Sequence, residues 1–452
     1  MDNQLKSYKS ILIAITVGLV IHSISLLAFN NVESRLIGLI AFLVLLWTNR
    51  GLHLGVVSLL PIVLFPIFGV IDSKQVVVNY SKTTIFLFIG GFLLAIAAEK
   101  NDLHKIVSNK LLSIFPKTPR GVLYSIILSV GLISSVLSDT TTAILFMPIA
   151  SFLTDDKEFK FRLLLGVAYA SVIGGIITPI GTPPNLFLFG FLEDNSLEAI
   201  SFIKWIAMML PLAIIMLLLA SEVLLFGLKK EIQFTTFESK KEKLTFNQKK
   251  IITIFIVLAI LLVLNPILKE FFNFIINEKL LLLGLGLSLF TPMINLLDWE
   301  EDFKKIPFSV IFLFGAGFSI AMAFSKTGLA KDVASYLLKL NSLSPLVLML
   351  IIGAGVVFLT ELTSNTALTA ITIPIVYVFA IKTGLDPILF MTIVAISASY
   401  AFMLPIATPA NAIAMSTGDV TVKQMLKRGI FLNILGILIT YVIVLTYWKA
   451  IL

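Results

Sequence analysis

Two stretches of the chain match each other at a constant offset of 226 residues (311 − 85 = 226), and this duplication constrains the fold more than any other feature. The run 85–88 (IFLF) recurs as 311–314. Register kept at polar as well as apolar positions is hard to explain by shared hydrophobicity, so the chain contains a duplicated unit. In membrane proteins such repeats build a binding site where the two copies meet. The further matches are Gly91 and Gly317, Leu103 and Leu329, Ser138 and Ser364, Thr140 and Thr366, Pro148 and Pro374, Pro179 and Pro405, Thr182 and Thr408, Pro183 and Pro409, and Asn185 and Asn411.

Composition places the chain in a membrane. With 58% hydrophobic residues, 13% charged residues and a mean hydropathy of +1.02, the 452 residues have too little polar side chain to cover a soluble globule. The sequence predicts an all-α polytopic membrane protein with about 11 transmembrane helices and two re-entrant helical hairpins. The first apolar run has no small-residue cleavage site behind it, so we predict a retained helix there. Long apolar runs occur around 11–29, 53–70, 203–228, 251–267, 279–297 and 428–448.

The residues that carry most enzyme chemistry are scarce. The chain has no cysteine, and its three histidines, His22, His53 and His104, have no metal-ligand spacing. No serine in the polar motifs has a basic partner nearby, which argues against a nucleophilic enzyme.

Basic residues predict orientation. We interpret the net charge of +8 as a topology signal and not as a nucleic-acid surface. A cytoplasmic N-terminus and an outside C-terminus put most of the 34 lysines and arginines inside, as the positive-inside rule demands. The expected location is a bacterial cytoplasmic membrane.

Two apolar segments carry a polar cluster in their middle. In 121–153 the cluster surrounds Asp139, and in 343–380 it surrounds Glu361. Polar groups facing lipid at membrane depth would cost several kcal/mol each. We therefore predict two re-entrant hairpins, the first turning at 138–142, whose tips are buried in protein or line a cavity. An odd number of crossings between the copies would insert the hairpins from opposite sides, which is the inverted-repeat arrangement.

Each hairpin is followed by a helix that cannot run straight through the membrane. The run 178–185 (TPIGTPPN) holds three prolines and a glycine, and 405–411 (PIATPAN) holds prolines in register with it. Proline removes a backbone donor and clashes with the preceding turn, so both runs should unwind. Unwound backbone offers carbonyls to a cation and helix amino termini to an anion. We expect the two hairpin tips and the two breaks to converge on one site.

These features divide the chain into segments, of which the two repeats hold the site. The predicted segments are N-terminal scaffold helices at 1–79; a first inverted repeat at 80–228 with hairpin 121–153 and broken helix 163–192; a cytoplasmic basic loop at 229–250; scaffold helices at 251–304; and a second inverted repeat at 305–452 with hairpin 343–380, broken helix 385–417 and a final helix.

The four motifs together resemble those of the divalent anion/sodium symporter family, the INDY-type dicarboxylate transporters. That family carries a Ser-Asn-Thr signature at each hairpin tip; the second is intact at 364–366, and the first reads Ser-Asp-Thr at 138–140. The runs 181–185 and 407–411 resemble the family's two unwound-helix motifs, and the similarity covers roughly 80–430. The resemblance implies a homodimer with a static scaffold domain, a mobile transport domain and elevator-type alternating access.

Carried over position by position, the resemblance implies two sodium sites and one substrate site. The first sodium site would use Ser134, Ser138, Asp139 and the backbone of Gly181. The second would use Thr360, Thr363, Asn365 and the backbone of Ala407. Substrate carboxylates would be held by Thr140, Thr182, Asn365, Thr366 and Thr408.

The charges of the two clusters fit this function. Neither cluster contains Arg, Lys or His, and neutral donors alone do not offset the desolvation of two carboxylates. Bound sodium ions would supply positive charge, and each ligand would raise the affinity of the other. We predict a secondary active transporter that couples sodium to uptake of C4-dicarboxylates of the succinate, malate and fumarate type. The alternatives are an exchanger, a proton-coupled carrier, a carrier of citrate, sulfate, phosphate or arsenite, or a channel.

Asp139 departs from the family's asparagine and adds a negative charge beside an anionic substrate. It could ligate sodium, carry a proton that couples transport, accompany a less charged substrate, or cap the hairpin helix. We favour direct cation ligation. Glu361 could be a second cation ligand or a water-facing residue, and we favour the latter. We interpret 103–116 and 329–340 as amphipathic interfacial helices that tie the mobile domain to the scaffold.

Overall fold

Helices alone build the fold. The structure is a computed structural model that describes residues 2–49, 51–228, 244–273, 276–338 and 344–451. Of the structure, 79% is helix, and no strand occurs in the described ranges.

The helices of the first half run from the N-terminus to the loop before residue 229. They are α1 Asp2–Ser25, α2 Asn31–Asn49, α3 Leu54–Ile67, α4 Ser73–Val78, α5 Thr83–Lys100, α6 Leu103–Ile114, α7 Pro119–Ser134, α8 Asp139–Phe152, α9 Lys157–Gly175, α10 Pro183–Asp194 and α11 Phe202–Leu225.

The second half repeats part of this order. Its helices are α12 Phe246–Phe272, α13 Glu278–Ser288, α14 Trp299–Asp302, α15 Phe308–Thr327, α16 Leu329–Leu338, α17 Pro345–Thr360, α18 Asn365–Thr383, α19 Pro387–Ser399, α20 Pro409–Ser416, α21 Val422–Ile443 and α22 Lys449–Ile451.

The apolar helices make this a multi-pass membrane protein, as predicted. Eight helices of the described residues are long and apolar enough to cross a membrane, by length and composition. Several others, including α3, α7 and α19, are apolar but shorter. The number of about 11 spans remains a prediction. The eight are Ser7–Ser25, Asn31–Asn49, Ser73–Lys100, Phe202–Leu225, Phe246–Asn265, Phe308–Thr327, Asn365–Thr383 and Val422–Trp448.

Residues 229–243 of the predicted basic loop 229–250 lie outside the described residues. The end of the predicted loop is helical, since α12 already begins at Phe246. A capping box explains the early start, because the Thr245 side chain accepts from the Gln248 amide and the Gln248 side chain accepts from the Thr245 amide.

The duplicated sequence folds into the same local structure twice. Helix α7 starts at Pro119 and α17 at Pro345, which is the 226 offset (345 − 119 = 226). The offset holds again where α10 starts at Pro183 and α20 at Pro409 (409 − 183 = 226). Proline is favoured in a first helical turn, where its missing N–H has no intrahelical partner to lose. The repeat therefore fixes where the helices begin.

Both polar clusters lie at the turn of a helical hairpin. Helices α7 and α8 are joined through 135–138, and α17 and α18 through 361–364. The first turn comes earlier than the predicted 138–142, because the Ser138 hydroxyl accepts from the Thr141 amide and starts α8 at Asp139. Whether each hairpin re-enters the membrane remains a prediction; α18 is itself long enough to cross.

Both predicted breaks are present in the helices that follow the hairpins. Helix α9 ends at Gly175 and α10 starts at Pro183, while α19 ends at Ser399 and α20 starts at Pro409. The first break covers 176–182, so it begins and ends earlier than the predicted run 178–185. The last prolines of that run belong to the first turn of α10.

A glycine contact holds the first hairpin against the first broken helix. A Cβ on Gly174 of α9 would lie 2.2 Å from the carbonyl oxygen of Gly131 in α7. No side chain fits there, so the two backbones touch directly. This packing keeps the tip of the hairpin beside the break in α9–α10.

Candidate functional site

One cavity of about 620 Å³ brings together residues from both hairpin turns and both helix breaks. The repeats therefore do meet at one place in the fold. The residues contributed by the four motifs are Leu137, Ser138, Asp139, Thr140, Thr141, Ile180, Gly181, Thr182, Pro183, Ser364, Asn365, Thr366, Ala407 and Pro409.

Each of these four motifs is a junction between two helix ends. Helices α8, α10, α18 and α20 all begin at the cavity, with first residues Asp139, Pro183, Asn365 and Pro409. Helix amino termini carry partial positive charge and free N–H groups, which favour an anion. The helices before the junctions end in carbonyls that have no partner within the helix backbone and carry partial negative charge, which favours a cation. The cavity therefore suits an anion and cations side by side.

Two asparagines brace the helix breaks in the same way. The Asn185 side-chain amide donates to the carbonyls of Thr178, at 3.0 Å, and Gly175, at 3.4 Å. The Asn411 side-chain amide donates to the carbonyls of Leu404 and Ala401, at 3.0 and 2.9 Å.

The acceptors of the two asparagines are also related by the repeat. Leu404 and Thr178 differ by the offset (404 − 178 = 226), as do Ala401 and Gly175 (401 − 175 = 226). Both asparagines are repeat matches in the sequence, but no role was predicted for them. Their equal position in the two repeats is the signal from which a shared structural role could have been predicted.

The first break depends on a glycine. A Cβ on Gly181 would lie 2.3 Å from the carbonyl oxygen of Gly175, so the backbone closes on itself across the break. Its counterpart in the second repeat is Ala407, whose Cβ is accommodated with 8% exposure.

The residues predicted for the first sodium site are close in the fold but differ in access. Ser138, Asp139 and Gly181 line the cavity. Ser134 is fully buried behind it, and its hydroxyl donates to the Ser171 carbonyl at 2.6 Å. A hydroxyl that donates its proton keeps lone pairs for a cation, so this contact is compatible with ligation.

The residues predicted for the second site divide in the same way. Asn365 and Ala407 line the cavity. The Thr360 hydroxyl lies behind it, 2.7 Å from the Asn365 side-chain oxygen and 2.9 Å from the Ala398 carbonyl. Thr363 is not among the lining residues, and its hydroxyl donates within its own helix turn to the Leu359 carbonyl.

Most of the residues predicted to hold substrate reach the cavity. Thr140, Thr182, Asn365 and Thr366 line it. Thr182 makes no capping hydrogen bond at the start of α10, which leaves its hydroxyl available. Thr408 is 3% exposed and does not line the cavity, because its hydroxyl caps α20 by accepting from the Asn411 amide at 3.1 Å.

Asp139 both faces the cavity and contacts its own helix. Its Oδ1 accepts from the Thr140 amide at 2.8 Å. The N-cap position itself belongs to Ser138. No salt bridge to Asp139 is found among the described residues, so the carboxylate meets no protein cation.

The interpretation of Glu361 as water-facing is wrong. Glu361 is 2% exposed, and its carboxylate accepts from the amides of Met403 and Leu404 at 2.8 and 3.0 Å. The Asn433 side chain of α21 donates to it at 2.7 Å. The unwound segment leaves backbone N–H groups without helical partners, and this carboxylate accepts from them. Glu361 thus braces the second break.

A second wall of the cavity, formed by α5 and by the chain before and at the start of α15, carries two charged residues that the sequence did not indicate. Most of this wall is apolar. Glu99 is the last lining residue of α5, and Lys305 ends the short 3-10 helix 303–305, three residues before the start of α15. Neither residue belongs to the polar motifs, so no local signal pointed to them. The wall consists of Phe92, Ala95, Ile96, Glu99, Lys305, Pro307, Val310 and Phe314.

An all-helical membrane protein whose two repeats enclose one polar cavity at four helix junctions is, by class, a membrane transporter. The comparisons agree with this class. The family model described as "Citrate transporter" matches residues 42–381. The chain therefore belongs to the citrate transporter family, within the divalent anion/sodium symporter group that its motifs resemble.

Curated relatives match over most of their length. The sodium-dependent dicarboxylate transporter SdcS of Staphylococcus saprophyticus is 30% identical over 438 residues, covering 88% of this chain and 83% of the relative. SdcS of Staphylococcus aureus is 29% identical over 430 residues, covering 88% and 82%.

Two solved structures share the fold. The YdaH transporter of Alcanivorax borkumensis has a TM-score of 0.62 at 11% identity, covering 83% of this chain and 87% of that one. MtrF of Neisseria gonorrhoeae has a TM-score of 0.59 at 12% identity, covering 83% of both chains. At these identities the likeness concerns the fold alone.

Proposed function

We propose that this protein is a secondary active transporter that couples sodium to the uptake of C4-dicarboxylates. The observation that carries the proposal is the meeting of four helix amino termini at one cavity lined by hydroxyls and amides. The names of the SdcS relatives, sodium-dependent dicarboxylate transporters, support the same substrate and coupling ion.

The donor set explains why sodium is needed. The motif wall offers neutral groups and one carboxylate, Asp139, to an incoming anion. Helix termini and hydroxyls do not offset the desolvation of two carboxylates and the repulsion from Asp139. Sodium held by hydroxyl, carbonyl and carboxylate oxygens supplies the missing charge. Binding of cation and anion is then coupled, each raising the affinity of the other by the same factor.

The predicted ligands divide into two sodium sites and one substrate site. The first sodium site comprises Ser134, Ser138, Asp139 and the Gly181 backbone, and the second Thr360, Thr363, Asn365 and the Ala407 backbone. The dicarboxylate is held by Thr140, Thr182, Asn365 and Thr366. Thr408 contributes indirectly, through the cap that fixes the start of α20.

Alternating access in this proposal is of the elevator type. The hairpins and broken helices form the mobile domain, and α5 and α15 belong to the static wall. The protein works as a homodimer in a bacterial cytoplasmic membrane with its N-terminus inside. Under that topology the end of α5 at Lys100 faces the cytoplasm.

Citrate is the second candidate substrate, and the description of the matching family model favours it. Uptake of labelled succinate into proteoliposomes, driven by a sodium gradient, tests the primary proposal. We expect saturable uptake that requires a sodium gradient, for which lithium, potassium or a proton gradient does not substitute. Unlabelled malate and fumarate should inhibit this uptake by competition. Uptake of citrate alone would favour the second candidate, and uptake driven by internal substrate without sodium would favour an exchanger.

A further inference from the structure

We propose that Lys305 is a specificity-determining residue, a cationic contact for the second carboxylate of the substrate on the cavity wall that α5 and the start of α15 form. The inference rests on the proposed function and deepens it. Among the described residues that line the cavity, Lys305 is the only lysine, arginine or histidine. It lines the same cavity as Asn365 and Thr366 but lies outside the four polar motifs. A molecule with an anionic group at each end can therefore place one group at the motifs and the other at Lys305.

The environment of Lys305 leaves part of its charge unpaired. Its Nζ lies 2.7 Å from Asp302 Oδ1, while Lys100 Nζ lies 2.5 Å from Asp302 Oδ2. Two lysines thus share one carboxylate, so Lys100, Asp302 and Lys305 together carry a net positive charge, which Glu99 opposes from a longer distance. The Asp302 side chain is fully buried, whereas the Lys305 side chain is 53% exposed. Lys305 is therefore the member of the group that a ligand can reach.

Asp302 stays ionised at all pH values at which the protein would work. Burial by itself would raise the pKa of this carboxyl, but hydrogen bonds from Lys100, Lys305 and the Asp298 amide lower it to about 2. The carboxylate holds Lys305 at the cavity. Because Lys100 and the Asp298 amide remain as partners, replacing Lys305 does not leave a buried charge alone.

Glu99 supplies a charge of opposite sign on the same wall. It lines the cavity with Lys305, and no salt bridge joins the two residues in the described part of the chain. A carboxylate here repels an anionic ligand. Removing Glu99 and removing Lys305 should therefore change the affinity for the anion in opposite directions, which a general loss of structure would not do.

The neighbouring Lys304 provides a matched control. It lies next to Lys305 in the same short 3-10 helix, 303–305, but does not line the cavity. The substitution Lys304→Gln removes the same charge from the same helix. Lys304→Gln and Lys305→Gln therefore share any effect of net charge on expression, folding or ligand steering. A difference in affinity between them reports the position of Lys305 at the cavity.

The test is the dissociation constant of succinate, measured calorimetrically on the full-length protein in lipid nanodiscs with saturating sodium. We expect Lys305→Gln to weaken binding about 5- to 10-fold, the size of one charge contact in partly hydrated space. Lys305→Arg and Lys304→Gln should bind like the wild type, and Glu99→Gln should bind more tightly. Adding choline chloride at fixed sodium should narrow the gap between the wild type and Lys305→Gln, because salt screens exposed charges.

Equal affinity in Lys305→Gln and wild type would overturn the assignment, as would weaker binding in Glu99→Gln by a similar factor. These results would leave the proposed function intact, since the wild type would still bind succinate with sodium. Absence of sodium-dependent succinate binding by the wild type would instead overturn the proposed function and, with it, the role of Lys305.

Discussion

Asn433 donates a hydrogen bond of 2.7 Å to Glu361 and so joins the last long helix, α21, to the turn of the second hairpin. Glu361 also accepts from two backbone amides of the unwound segment. The bond therefore connects the hairpin, the break and the final helix at one buried point.

We expect Glu361→Ala to destabilise the protein and to weaken sodium dependence. The substitution leaves three donors without an acceptor, the buried Asn433 side chain and the partly buried amides of Met403 and Leu404. A buried donor costs about 1–3 kcal/mol when unsatisfied. The melting temperature in detergent and the half-saturating sodium concentration of uptake report the two effects.

The repeat offers a control for that substitution at Ser135, the counterpart of Glu361 (361 − 135 = 226). The Ser135 hydroxyl donates only to the Leu132 carbonyl in its own helix turn. Ser135→Ala should therefore leave both measurements nearly unchanged. If the two variants behaved alike, the bracing role of Glu361 would be wrong.

Asp139→Asn tests the residue that departs from the family signature. If its carboxylate ligates sodium, the substitution should weaken the dependence of uptake on sodium while the pH profile stays flat. Uptake is measured against sodium concentration at several pH values between about 5.5 and 8.5, a range that spans the usual titration of histidine but not of an ordinary aspartate. A large change in the pH profile would instead support a protonated Asp139 and proton coupling.

The helix junctions were predictable because their signals are local. Prolines at 183 and 409 and the capping serines at 138 and 364 lie within the turns they determine. The offset of 226 residues then showed that the hairpin turn and helix break of one repeat correspond to those of the other. This correspondence led to the prediction that the four motifs meet at one site.

The second wall and the bracing of the second break were not predictable because their partners are distant in sequence. Lys100 and Asp302 are 202 residues apart, and Glu361 and Asn433 are 72 apart. An isolated acid near a hairpin tip carries no sign of whether it will face water or accept buried amides. Only the packing of α21 and the unwound segment against the hairpin decides this.

Gly181→Ala should abolish transport while leaving the membrane helices in place. The added methyl would lie 2.3 Å from the Gly175 carbonyl oxygen, and backbone cannot move aside as a flexible side chain can. The break would then open and displace the start of α10 from the cavity. Uptake of labelled succinate and yield of monodisperse protein are the two measurements.

Ala407→Gly, at the equivalent position of the second repeat, removes a methyl instead of adding one and is the control for Gly181→Ala. It should retain uptake within a few-fold of wild type. Full activity in Gly181→Ala would show that the closed backbone geometry of the first break is not required.

The end of α10 is tied to the start of α5 and to α13 by a group of ion pairs. Glu193 accepts from the hydroxyls of Thr83 and Thr84 at 2.6 Å and pairs with Lys279 of α13 at 2.5 Å. Asp194 pairs with Lys82. This group lies at the opposite end of α5 from Glu99; Thr83 and Glu99 are 16 residues apart (99 − 83 = 16), about 24 Å along the helix axis. If α10 moves with the hairpins, these contacts must break during each transport cycle.

Holding the Glu193–Lys279 contact closed should therefore stop transport. The chain has no cysteine, so the double variant Glu193→Cys, Lys279→Cys can be linked by a short bifunctional maleimide without side reactions at other thiols. We expect linked protein to lose sodium-driven succinate uptake, while each single variant treated in the same way keeps it. Linked protein should still bind succinate with sodium, because Lys305, a cavity-lining residue near the other end of α5, is 53% exposed and a ligand can reach it there. Continued uptake by fully linked protein would mean that α10 does not move relative to α13, which is incompatible with an elevator between these two walls.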